Sequence, residues 1–192
     1  MARLAPLSPD ALSKAQADVM AETVQGPRGK VPAPVIAWLR SPAVAMHAQR
    51  LGATLRFGGV LDPRLRELAI LVCARHWTSH HEWTAHKRIA LQEGLDPDVI
   101  AAVARGEEPP ADGSDLALVW RLSASMLRDG GLAPRAYAEA LESLGEQGLV
   151  ELVATLGYYC MVALTLNVFE LGLPEGHAPE LCAEGTGDGP EG

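Results

Sequence analysis

Three observations predict an all-α fold. No segment of the 192 residues alternates apolar and polar positions as a half-buried strand would. A capping residue followed by a first-turn proline recurs at Ser8-Pro9, Ser41-Pro42, Asp62-Pro63, Asp96-Pro97 and Ala133-Pro134, which is how a helix start is written. Glycines at 94, 106, 130 and 145 stand where helices are expected to stop, because a left-handed C-terminal residue costs glycine least.

Taken in order, Ser8-Pro9 opens a helix with Leu12, Ala15, Val19 and Met20 on one face. The stretch QGPRGKVPAP at 25–34 follows as a loop; it lacks the GxxxxGK[ST] pattern, so phosphate binding is not expected there. Ser41-Pro42 opens a helix with Val44, Ala48, Leu51 and Leu55 on one face, and Asp62-Pro63 opens the one that reads LRELAILVCARHW. Residues 79–93 are next, then a helix after Asp96-Pro97 that ends at Gly106, then 114–128. Ala133-Pro134 starts a helix that stops at Gly145, and 148–171 is the last. Within it, Leu152 to Phe169 is an uncharged run, long enough to raise a membrane span. Thr155, Tyr158, Tyr159, Thr165 and Asn167 interrupt it and no Lys or Arg flanks it, so a helix buried on all sides is expected, and no membrane partner.

Composition bounds the rest. With 48% hydrophobic and 21% charged residues the chain is that of a soluble globular protein, expected as one domain over 1–173. The net charge is −8, yet five acids and no Lys or Arg fall in 174–192, so the domain is close to neutral and the acidic tail is expected to stay disordered. No basic tract exists to neutralise phosphates, and no nucleic-acid partner is expected. Cys73, Cys160 and Cys182 make neither a CxxC pair nor a metal-ligand spacing, and their odd number fits a reducing, cytoplasmic compartment.

The chemistry is concentrated in SHHEWTAH, residues 79–86. Ser79-x-x-Glu82 has the form of a capping box, in which the two side chains would satisfy backbone N–H groups at a helix start. The same helix places Ser79, Glu82 and His86 on one face with Trp83 beside them. His81 and His86 are one residue too far apart for HExxH, and no metal site is expected. Glu67 interrupts an apolar run on the preceding helix. If it faces a pocket it meets Glu82 and His86, and two carboxylates with an imidazole in an apolar cavity are suited to proton transfer.

The stretch RELAILVCARHWTSHHEWTAHKRIALQEGL resembles the core of the carboxymuconolactone decarboxylase family, which includes alkylhydroperoxidase D-like enzymes. Thiol-dependent members carry a glutamate, then CxxC at the start of the next helix, then a histidine. Glu67, Ser79, Glu82 and His86 fall on those positions with spacings of 12, 3 and 4. The likeness runs from about Leu51 to Gly106, and YYCMVALTLNVFELG is similar to the family's final helix. It implies a helical bundle that assembles as a trimer or hexamer. It also implies a small-molecule substrate, with antioxidant peroxidase activity in the wider family.

Ser79 and Glu82 replace both cysteines and cannot cycle through a disulfide, which argues against that peroxidase activity. A Glu-x-x-x-His pair is similar to the decarboxylase branch and implies acid–base chemistry without a cofactor. In that reading His86 is base or acid, Glu67 orients it, Glu82 is the second proton carrier, and Ser79 and Trp83 line the pocket. Tyr158 and Asn167 are further binding candidates, with helix–helix hydrogen bonding as the alternative. A non-catalytic binding protein, and hydroperoxide-dependent oxidation of Cys73 or Cys160, remain as other readings.

Overall fold

In the computed structural model, which describes residues 2–110, 114–173 and 176–181, the described residues form helices and no strand. They are α1 (Lys14–Gln25), α2 (Ala33–Trp38), α3 (Pro42–Phe57), α4 (Pro63–His76), α5 (His80–Gln92), α6 (Pro97–Arg105), α7 (Asp115–Asp129) and α8 (Pro134–Val168). At the centre stands α4, buried without interruption from Leu65 to Arg75, with α5, α6, α7 and α8 packed around it. That explains why its sequence shows no clean amphipathic period: a helix covered on every side has no solvent face to mark.

The proline-marked starts hold for α3, α4, α6 and α8, and at α4 and α6 the Asp62 and Asp96 side chains accept the N–H two residues on. Ser8-Pro9 instead opens only a single 3-10 turn, Pro9–Ala11. The first α-helix begins at Ser13, where Ser13 and Gln16 complete a reciprocal capping box that satisfies two otherwise orphan N–H groups. The expected loop at 25–34 ends early, since Ala33 already starts α2. On α3 the inward face is Ala45, Ala48, Gln49, Gly52 and Leu55, so Val44 and Leu51 point outward. Two helices expected on either side of Gly145 run on as α8, kinked there by a backbone of φ 67° and ψ 174°.

By length and composition α8 could cross a membrane. In this fold it packs on α2, α3, α4, α5 and α7. It is not buried on all sides: Val150, Val153, Leu164 and Val168 form an exposed stripe. After α8 the chain returns along the body, where His81 Nδ1 meets the Gly172 carbonyl at 2.7 Å. Lys87 pairs with Glu180, and Leu181 is buried against the core. The expected loose tail therefore does not describe residues 176–181, because one apolar side chain and one ion pair tie them down. Cys182 and the remaining acidic tail lie outside the described residues.

Candidate functional site

The turn between α4 and α5 decides what SHHEWTAH can do. Ser79 N–H donates to the Ala74 carbonyl at 2.8 Å, closing off the previous helix, so it is not free to be capped by Glu82. Ser79 in turn makes no side-chain cap. The capping box expected from Ser79-x-x-Glu82 is thus not formed. Both side chains are buried instead, and neither the Ser79 hydroxyl nor either Glu82 oxygen finds a hydrogen-bond partner among the described residues. A carboxylate so placed is costly in its charged form. Burial drives the Glu82 pKa well above its ordinary value, with the Cys160 thiolate adding to the rise, so Glu82 is held as the neutral acid.

One and a bit turns further on, His86 Nδ1 lies 2.7 Å from Glu67 Oε2, joining α5 to the central helix. Glu67 is fully enclosed. Its burial favours the neutral form, but the His86 charge and hydrogen bond, with Arg56 and Arg66 behind them, outweigh it and hold the pKa below the ordinary value. Glu67 is therefore a carboxylate and Glu82 an acid: two glutamates, separated in protonation by their partners. The His86 ring packs edge-on against Tyr159, 4.8 Å between centroids, and Tyr159 against Tyr158 at 5.2 Å.

Glu82, His86, Tyr158 and Tyr159 all line one cleft of about 830 Å³, walled by the 27–35 segment and by α3, α5 and α8. Arg28, Arg56 and Arg88 line it too. Burial raises the Tyr158 pKa, and the charges of Arg28 and Arg56 pull against that rise. At Gly52 the backbone of α3 comes so close to the Tyr158 hydroxyl and the Arg28 guanidinium that a Cβ would collide with both.

The structure brings together Glu67, Glu82, His86 and Tyr158, which the sequence places on three separate helices. Of these, Glu82, His86 and Tyr158 line the cleft, Glu67 is enclosed and reaches it only through His86, and the other three predicted residues are not in its lining. Ser79 and Trp83 are buried outside its lining, Trp83 within the core. Asn167 makes the alternative contact, donating to the Trp77 carbonyl at 2.8 Å and tying the end of α8 to the α4–α5 turn. Arg28 is the residue that sequence reasoning passes over, since its loop reads only as punctuation. Arg56, at the end of α3, also sits in the cleft wall.

Residues 42–124 match the model of the Carboxymuconolactone decarboxylase family. The matched span runs from α3 into α7 and holds Glu67, Ser79, Glu82 and His86. No curated protein matches the chain. Around that span the fold is all-helical, and residues 42–124 are thereby similar to the carboxymuconolactone decarboxylase family, with Ser79 and Glu82 where its thiol-dependent pattern has two cysteines.

Proposed function

We propose that the cleft performs acid–base chemistry, without a cofactor, on a small organic acid or lactone, as a decarboxylation or an isomerisation. The observation that carries this reading is the Glu67–His86 pair at 2.7 Å beside a neutral, unpartnered Glu82, beneath Arg28 and Arg56. With Nδ1 engaged by Glu67, the Nε2 atom of His86 is the ring nitrogen left for substrate, and the carboxylate fixes its orientation. Arg28, Arg56 and the Tyr158 hydroxyl suit a carboxylate on the substrate. In an isomerisation His86 removes a proton from one carbon and Glu82 delivers one to another. In a decarboxylation the electron pair of the breaking C–C bond passes into the unsaturated acid, and Glu82 protonates the atom that receives it.

Support for a homo-oligomer comes from Leu164 and Val168, exposed apolar residues one turn apart on one side of α8 beyond the groove that Val150 and Val153 line. A cytoplasmic setting rests on the odd cysteine count. The test of the chemistry is turnover of a panel of unsaturated lactone acids and short-chain diacids followed by proton NMR. His86→Ala and Glu67→Gln are expected to lower kcat/KM on whichever substrate reacts by roughly 10²-fold or more. Full activity in Glu67→Gln, with an unchanged pH profile, would overturn the assignment.

A further inference from the structure

The two cysteines of the described residues, 87 positions apart in sequence, are brought into contact by the packing of α8 on α4. Cys73 Sγ and Cys160 Sγ lie 3.7 Å apart. Trp77 Nε1 donates to Cys160 Sγ at 3.2 Å, so that sulfur has a fixed donor on one side and a second thiol on the other. Cys73 is fully buried, whereas Cys160 is only partly so and lines a separate groove of about 790 Å³ between α7 and α8. Gly157, one turn earlier, also lines this groove and adds no side chain to it. One sulfur is therefore reachable and the other is sheltered behind it.

We propose that Cys160 and Cys73 form a reversible thiol–disulfide site, oxidised at Cys160 by hydrogen peroxide and separate from positions 79 and 82. The electrostatics separate the two thiols in the way such a site requires. The Cys73 hydrogen bond, with that of Trp77, lowers the Cys160 pKa to about 6 against the opposing effect of burial. Cys73 is pushed up by its bond to Cys160 and by burial. Near neutral pH the exposed sulfur is a thiolate, hence the nucleophile, and the buried one keeps its proton.

The Cys160 thiolate attacks one oxygen of the peroxide; the O–O bond breaks, and the departing hydroxide takes a proton to become water. Cys160 is then a sulfenic acid. Cys73 gives up its thiol proton and its sulfur attacks Cys160, breaking the S–O bond, and the hydroxide leaves with that proton as a second water. Two thiols become one disulfide, and one peroxide becomes two waters. A small dithiol reverses the change by exchange. Formation of the disulfide does not depend on what the cleft catalyses.

The test uses the full chain with Cys182→Ser, treated at neutral pH with one equivalent of hydrogen peroxide and then alkylated and mapped by mass spectrometry. Expected are one Cys73–Cys160 disulfide per chain, its reversal by dithiothreitol, and quenching of Trp77 fluorescence. Cys73→Ser should stop at a Cys160 sulfenic acid that dimedone traps. Should the buried Cys73→Ser variant fail to fold, Cys160→Ser serves, and its Cys73 is expected to stay unreacted. Absence of the 73–160 linkage, or sulfinic acid at Cys160 with Cys73 free, overturns the proposal.

Discussion

Glu82 gives a pH dependence whose sign follows from its burial. Its folded pKa lies above the ordinary 4.5, so above that pH the folded chain keeps a proton that the unfolded chain has lost. Stability from this residue is present below pH 4.5 and drains away as pH rises, by at most about 1.4 kcal/mol per pH unit. Glu67 acts oppositely: its lowered pKa adds stability above the ordinary value, lost as pH falls through the folded one. Glu82→Gln, which copies the neutral acid, is therefore expected to stabilise the protein at pH 7 to 8 and to leave it unchanged near pH 4. Melting temperature measured from pH 4 to 8 checks this, and parallel curves for variant and wild type would contradict it. Ser79→Ala separates a cap from a buried hydroxyl. Losing an N-cap serine costs about 1 kcal/mol. Here no such bond exists, so the variant is expected to be neutral or slightly more stable in a denaturant titration.

Among the helices, α3 packs tightly against the cleft wall, because Gly52 lets its backbone reach Tyr158 and Arg28. Gly52→Ala is expected to push both side chains aside, to raise KM for a carboxylated substrate more than it lowers kcat, and to cost about 1 kcal/mol or more of stability through overpacking. Steady-state kinetics beside thermal melts would show it. The elements legible in the sequence are those with local chemistry: proline starts at 42, 63, 97 and 134, and left-handed glycine stops at 94, 106 and 130. Gly145 is also left-handed, but there the same signal bends a helix that continues, since the flanking segments pack on a common core. What was not legible is what depends on distant contacts. Six-residue α2 hides among prolines, and Ser79-x-x-Glu82 has the right letters for a cap whose N–H is already taken by Ala74. The Glu67–His86 contact could be read because the two residues stand on consecutive helices at a short spacing. Arg28 could not, since nothing in its own loop points towards a cleft formed with α3, α5 and α8.

At the scale of the whole molecule, the end of the α8 stripe beyond the Cys160 groove, Leu164 and Val168, is expected to be covered by another copy of the chain. Leu164→Glu places a charge there and should shift the sedimentation coefficient to that of a monomer while leaving the helical circular dichroism unchanged. A wild type that already sediments as a monomer at micromolar concentration would dispose of the idea. The same helix also gives Tyr158 and Tyr159 to the cleft and, at the very next position, Cys160 to the groove on its other side. Each residue turns the helix by about 100°. Three neighbouring positions thus serve two separate rooms, and neither can be refurnished alone. A single residue inserted between Gly148 and Gly157 would carry the tyrosines away from His86 and the sulfur away from Cys73 in one rotation. In descendants of this chain, length changes should therefore be absent from that interval and gather in the 25–34 loop, where the cleft wall can be recut without disturbing either room.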